Sequence, residues 1–251
     1  MSSVDKFSAA KLHAMYQILN APLRTWPFPH ICVHNILPAD FYAELMRNRL
    51  DDDCFTRLVD TGRVGMGYSG ARACVFPKEV DSLPTSEEKR SFWKQLFETF
   101  RDAEFSSIWL SVFKQGMAEK LADNKMTVAD LKLYNEMFLM RDTTTYSLGP
   151  HTDTPRKMVS VLFYMPPDDS NSHLGTSAYI PKDRKFTCMG GPHHPFENFE
   201  LVASMPYVPN TLVAFPQTKR SFHGVEPVAR EGDVRDLILF DLKTRLPGDD
   251  A

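Results

Sequence analysis

A chain of 251 residues with 43% hydrophobic and 24% charged residues has the composition of a globular protein and enough length for one large domain or two small ones. Its net charge of −3 and pI near 6.2 give no basic field, which sets aside nucleic acid and membrane surfaces as partners. Residues 1–19 lack the apolar centre of a signal peptide and no run of about 18 apolar residues occurs, so the expected location is cytoplasmic.

Four cysteines, Cys32, Cys54, Cys74 and Cys188, stand far apart without CxxC spacing. That pattern disfavours a zinc ribbon, a redox pair and a disulfide framework, and predicts reduced, mostly buried thiols. The 18 Phe and 18 Pro suggest an aromatic core with many turn-bounded strands.

In chain order, the short apolar runs HICVHNIL and ARACVF read as edge strands. Pro38 to Leu50 opens with Pro and Asp, the residues of a helix start. From Thr85 the segment TSEEKRSFWKQLFETF places acids at its start and Phe92, Trp93, Leu96, Phe97 and Phe100 on one helical stripe. FSSIWLSVFKQGM repeats the stripe with Phe105, Ile108, Trp109, Val112 and Phe113. Both stripes read as core-facing scaffold. From Leu131 the pattern turns to period two and short apolar runs: LKLYNEMFLM, KMVSVLFYM, TSAYIP, TLVAF and DLILFDL. Between them lie the loop segments PPDDSNSHLG, GGPHHPFENFE and VPNT. No linker divides the chain. A single unit over residues 1–251 is expected, with a mostly helical half (1–125) buttressing a closed or sandwiched β core (126–247).

One short pattern in the β half carries chemistry. In an extended strand residues i and i+2 share a face, so His151 and Asp153 can reach one metal ion, and Gly149-Pro150 reads as the turn that delivers them. The third candidate ligand is His223, in a strand-like segment 72 positions on. Two imidazoles and one carboxylate on one side of a metal leave its other positions open, the arrangement of non-haem Fe(II) oxygenases. Arg235 follows His223 by twelve positions. It shares a strand face with Leu237, Leu239 and Asp241, so its guanidinium can project into a barrel and grip a carboxylate. A plainer role for Arg235 is an ion pair with Asp236 or Glu226. His193 and His194 are adjacent and point opposite ways in an extended chain, which disfavours a second metal site. Their loop is a candidate for substrate contact. Arg156 and Lys157 can meet an anionic substrate or form a solvated strand edge.

The segments HTD, FHGVEPV and RDLILFDL resemble the His-x-Asp…His…Arg signature of the Fe(II)- and 2-oxoglutarate-dependent dioxygenases, in the prolyl-hydroxylase-like branch. WPFPHICVHNILPADFYAEL is similar to the lead-in of that branch. SVLFYMPPDD and LGTSAYIP stand where it has its YLN strand and Gly-Gly-Thr turn. One glycine of that turn's Gly-Gly pair is replaced, since the chain reads Leu174-Gly175-Thr176, and Pro166-Pro167 stands where Asn is usual.

The resemblance implies a mainly β fold with buttressing helices around a double-stranded β-helix, or jelly roll. It implies Fe(II) at His151, Asp153 and His223, and 2-oxoglutarate held through its distal carboxylate by Arg235. Tyr164, or secondarily Tyr146, would assist that hold. O2 would be the second cosubstrate, with succinate and CO2 as products. The retained Asp153 favours hydroxylation over halogenation. With no extra flanking loops or docking domain for a polypeptide in the sequence, the expected substrate is the aliphatic C–H of a small polar metabolite, with Arg156, His193 and His194 as candidate contacts. Desaturation, cyclisation or demethylation at the same iron, and a catalytically silent jelly roll that only binds, stay open. A homodimer is also open.

Overall fold

The structure is a computed structural model that describes residues 3–65, 68–228 and 230–246, with side chains from residue 6 onward. Both ends of the single unit expected from the sequence, including residue 247 at the close of its β half, lie outside the described residues.

Helices dominate the first half. They are α1 (Ser3–Leu19), α2 (Ala39–Arg47), α3 (Glu87–Phe100), α4 (Ala103–Val112) and α5 (Lys114–Asp123). Local chemistry fixes their starts. The Ser86 hydroxyl accepts from Lys89 N ahead of α3, where Glu87 and Glu88 fill the first turn, and Asp102 accepts from Phe105 N at 2.8 Å ahead of α4. Lys11 of α1 pairs with Asp102 and Glu104, pinning α1 across α4. The stripe from Phe105 to Phe113 breaks at Phe113, where the chain leaves α4 and re-enters a helix as α5.

The remaining strands are β1 (Ile31–His34), β2 (Thr56–Arg57), β3 (Arg72–Val75), β4 (Leu133–Thr143), β5 (Leu148–His151), β6 (Lys157–Tyr164), β7 (Thr176–Pro181), β8 (Phe199–Met205), β9 (Thr211–Pro216), β10 (His223–Val225) and β11 (Val234–Thr244). They form a seven-stranded sheet in the order β1-β9-β6-β11-β4-β3-β2 and a four-stranded sheet in the order β5-β10-β7-β8. Every pairing is antiparallel. From β4 to β11 successive strands switch between the two sheets, save that β7 and β8 both lie in the small one, which is the jelly-roll winding the resemblance implied. β1 is an outer edge, as its sequence suggests, and the two-residue β2 covers β3 at the other.

Each large-sheet strand has two faces of opposite character. Facing the helices, Met137 and Leu139 of β4, Val161 and Phe163 of β6, Ala214 of β9 and Phe240 of β11 join α1, α3 and α4 in one core. Phe105 lies edge-on to Phe240 at 5.4 Å, and Trp93 and Trp109 are fully buried there. Burying each such aromatic is worth about 2–3 kcal/mol by area. The opposite faces, Met140, Tyr164, Val213, Phe215 and Leu237, meet Ala178, Met205 and Val225 of the small sheet inside the roll. No helix among the described residues is long and apolar enough to cross a membrane.

Two expectations change. Gly149 and Pro150 lie within β5 and form no turn. β5 is the outer strand of the small sheet, where a proline's missing N–H is tolerated. A Cβ on residue 149 would stand 2.4 Å from the His194 carbonyl oxygen, so glycine lets the 190–198 segment lie against the strand. The second change is β8, for which no strand is read in the sequence: its first two residues fall in the loop segment GGPHHPFENFE and the rest received no reading. It is the other outer strand of the small sheet, and exposed Glu200 and Leu201 break its alternation.

Candidate metal centre

His151 ends β5 and His223 begins β10, and the two residues face each other in register. Asp153 lies just past the end of β5. Each of the three offers one ligand atom, and these atoms lie within 4.8 Å of one another. All three side chains are buried. His151 Nδ1 is 3.0 Å from Gly149 O and His223 Nδ1 is 3.0 Å from Ser221 O. With each Nδ1–H donating to a backbone carbonyl, each Nε2 keeps its lone pair for a metal. The rings sit 4.4 Å apart, and Phe215 packs 4.4 Å from His223.

The electrostatics suit metal ligation. Burial, reinforced by the His223 ring, pushes His151 well below its ordinary value, and burial lowers His223 against the pull of Asp153. Both imidazoles are therefore neutral near pH 7. Burial alone would raise Asp153. The Lys157 ammonium and the Ser160 hydroxyl overcome it and hold the carboxyl well below the usual range. Ser160 Oγ donates to Asp153 Oδ2 at 2.7 Å, and Gln217 Nε2 donates to the Asp153 carbonyl at 3.0 Å. Two neutral nitrogens and one ionised oxygen form a donor set that fits Fe(II).

The triad opens into a cavity of about 260 Å³ that Arg235 also lines, with Arg72, Thr176, Leu162 and Leu239. Arg235 is fully buried. Its Nε donates to Leu174 O at 2.6 Å, one Nη to Asp142 Oδ2 at 2.8 Å and the other to Thr176 Oγ1 at 3.3 Å. Its ion-pair partner is thus Asp142 on the neighbouring strand. Asp236 faces the other side of β11 and binds Arg141, while Glu226 accepts from the Tyr179 hydroxyl. Three of five guanidinium N–H groups are engaged, leaving two for a ligand. Asp142 also takes a bidentate pair from Arg72, at 2.6 and 2.8 Å. Two guanidiniums around one carboxylate leave this end of the cavity with a surplus positive charge.

Leu174-Gly175-Thr176, where the chain departs from the Gly-Gly-Thr turn, forms the seat of Arg235. Gly175 permits the approach of Met205, whose carbonyl oxygen would lie 1.9 Å from a Cβ. The Tyr164 hydroxyl donates to Thr176 Oγ1 at 2.7 Å and accepts from Thr176 N at 2.9 Å, and its ring lies under Arg235. Tyr146 is buried beneath the Arg72 guanidinium at 4.1 Å, with its hydroxyl 3.2 Å from that of Tyr68. Neither Tyr164 nor Tyr146 is among the residues lining the cavity.

The adjacent histidines part company. His193 lines the cavity, with its ring 4.7 Å from His151 and 6.1 Å from Tyr68. His194 turns its ring into the cluster of Phe186, Phe199 and Phe222, while its backbone N–H donates to Pro150 O at 2.9 Å. Arg156 is exposed in the turn before β6 and does not line the cavity. Lys157, its neighbour, turns inward: Nζ lies 2.9 Å from Asp153 Oδ1 and 3.1 Å from Asp241 Oδ1. Ser160, Asp142, Arg72 and Thr176 were not read from the sequence as site residues, and Lys157 only as a contact for an anionic substrate or a solvated strand edge. Only Lys157 and Ser160, four and seven positions after Asp153, carried a local signal.

No protein-family model matches this sequence, and no curated protein matches it. Among solved structures, a prolyl hydroxylase from Trichoplax adhaerens, in complex with a hypoxia inducible factor oxygen degradation domain peptide fragment, is 13% identical with a TM-score of 0.50, over 96% of this chain and 91% of its own. The fold is that of the prolyl-hydroxylase-like oxygenases. Two further structures align more loosely. SnoN, a non-heme alpha ketoglutarate dependent epimerase from nogalamycin biosynthesis, is 12% identical (TM-score 0.49, 97% and 92% covered). A Pseudomonas putida prolyl-4-hydroxylase is 15% identical (TM-score 0.46, 93% and 98% covered).

Proposed function

We propose that this protein is an Fe(II)- and 2-oxoglutarate-dependent dioxygenase that hydroxylates an aliphatic C–H bond of a small polar molecule. One observation carries the reading: two neutral imidazoles and an ionised carboxylate, with ligand atoms within 4.8 Å, share a cavity with a buried arginine. His151 and His223 offer Nε2, and Asp153 offers a carboxylate oxygen. Arg235 offers its two uncommitted N–H groups to the distal carboxylate of 2-oxoglutarate, and the Thr176 and Asp142 contacts fix the plane of its fork.

When bound, iron and 2-oxoglutarate supply the oxidising chemistry, consuming O2 and releasing succinate and CO2. The protein positions the C–H bond and keeps water out. Leu162, Leu239, Phe215 and Val225 line the same cavity as the triad and Arg235 and give it an apolar wall. Tyr164 acts by orienting Thr176 under Arg235. At the mouth, Tyr68 and His193 border an outer bay of about 770 Å³ lined also by Ser69, Ser147, Gly65 and Gly191. Hydroxyls and one aromatic pair there support a small polar substrate, with His193 as its contact.

Anaerobic addition of Fe(II) and 2-oxoglutarate tests this reading. A weak visible metal-to-ligand charge-transfer band is expected, together with substrate-stimulated succinate release. A protein that gives no band with both present is not this enzyme.

A further inference from the structure

The sequence offers Lys157 as a contact for an anionic substrate or a solvated strand edge, yet its ammonium is folded against Asp153 of the proposed metal centre. It sits between Asp153 Oδ1 at 2.9 Å and Asp241 Oδ1 at 3.1 Å, with Ser160 Oγ at 3.4 Å. The other oxygen of Asp153, Oδ2, takes the Ser160 hydroxyl and faces His223 Nε2 at 3.7 Å. One oxygen is thus committed to a cation, and the other is turned toward the histidines.

The pairing continues away from the centre along the inner faces of β11 and β4. Asp241 lies 3.9 Å from Lys243 Nζ, Lys243 lies 2.6 Å from Glu136, and Glu136 lies 2.5 Å from Arg63. Three cations (Arg63, Lys243, Lys157) alternate with three carboxylates (Glu136, Asp241, Asp153). This wall is electrically balanced before any metal arrives.

We infer that Lys157 is a positioning residue of the metal centre: its ammonium is the standing counter-charge of Asp153 and sets how tightly that carboxylate holds a divalent ion. The inference rests on the metal site proposed above. A cation beside a ligand carboxylate draws on its electrons and repels the incoming ion, so Lys157 moderates affinity while holding Asp153 to one exposed oxygen. Asp241 shares Lys157 and so relieves Asp153 of part of that charge. Removing the cation and removing the sharing carboxylate should therefore act in opposite directions.

Titration of the full-length protein with Mn(II) by calorimetry, and with Co(II) by its visible d–d spectrum, tests this. Lys157→Met should tighten Mn(II) binding by roughly tenfold, and Asp241→Asn should weaken it by a similar factor. The Co(II) spectrum should change in Lys157→Met, because a second carboxylate oxygen becomes available. Lys157→Arg, which keeps the charge, should return affinity toward that of the wild type. Unchanged affinity in Lys157→Met and Asp241→Asn, or weakening in both, would overturn the inference. If Lys157→Met does not fold, the direction of the Asp241→Asn change decides alone. A wild-type protein that binds neither ion instead removes the proposed metal site, which is a separable result.

Discussion

The two faces of β11 differ more than any two elements of the molecule. One face carries Ile238, Phe240 and Leu242 into the aromatic core beneath the helices; the other carries Arg235, Leu237, Leu239, Asp241 and Lys243 into the roll. Both are buried, by different physics. Apart from the buried Asp236–Arg141 pair at one end, the helix side is held by area and packing, so its apolar residues are exchangeable among hydrophobes of similar volume. The inner side places charges where desolvation is severe, and each has a named partner of opposite sign: Asp142 for Arg235, Lys157 for Asp241. Stability resides on one side of the sheet and chemistry on the other.

The sharpest separation should come from the metal centre. His223→Ala removes a proposed ligand from the inner face without touching the helix side, and the charge-transfer band with Fe(II) and 2-oxoglutarate should vanish while the circular dichroism spectrum stays unchanged. A retained band would show that the inner face does not hold the metal as a unit. Trp109→Ala, on the helix side, should do the converse. It should destabilise the fold by about 3–5 kcal/mol in denaturant unfolding while the protein still folded keeps wild-type metal affinity.

A third variant divides the inner face itself. Arg235→Leu should weaken 2-oxoglutarate roughly 10- to 100-fold, the loss of a charge-assisted pair, and leave Mn(II) binding alone nearly unaltered. Equal cosubstrate affinity would direct attention to Arg72, the other cation at that end of the cavity.

The gentlest test concerns Lys120, a buried lysine of α5 that donates to Gln217 and to the Lys157 carbonyl. Burial, opposed by Asp153, pushes its ammonium down to about 7 from 10.5. The folded chain therefore sheds a proton that the unfolded chain retains between these values. Stability contributed by this group should rise with pH from about 7 to about 10.5, at no more than ~1.4 kcal/mol per pH unit. Unfolding by urea across that range should show the slope, and Lys120→Met should flatten it.

These contrasts also explain what could be read beforehand. The stripe Phe92, Trp93, Leu96, Phe97 and Phe100 gave α3 directly, and DLILFDL and TSAYIP gave β11 and β7, because an apolar face against a core imposes its period on the chain. The alternation in β11 also placed Arg235 and Asp241 on one face before any partner was known. The segment after the HTD motif was harder. Lys157 looked like surface because a lysine is usually solvated, and its two carboxylate partners are four and 84 positions away. Gly149-Pro150 looked like a turn because those residues usually make one; here they mark an outer strand with another segment lying against it. α1 and β8 were not read at all: α1 buries Phe7, Ala10, Ala14 and Ile18 with two alanines in the stripe, and β8 alternates poorly.

By itself, the sequence determined which residues could ligate a metal and in what order they occur. It also determined the amphipathic periods of most core elements, since residue type and spacing are properties of the chain. Tertiary structure alone decided the rest: that His151 faces His223 across two strands, that Arg235 takes Asp142 rather than its neighbour Asp236, and that Lys157 turns inward to Asp153. Those choices depend on which strands become neighbours in the roll, and on burial that sets Arg235 and Lys157 against carboxylates.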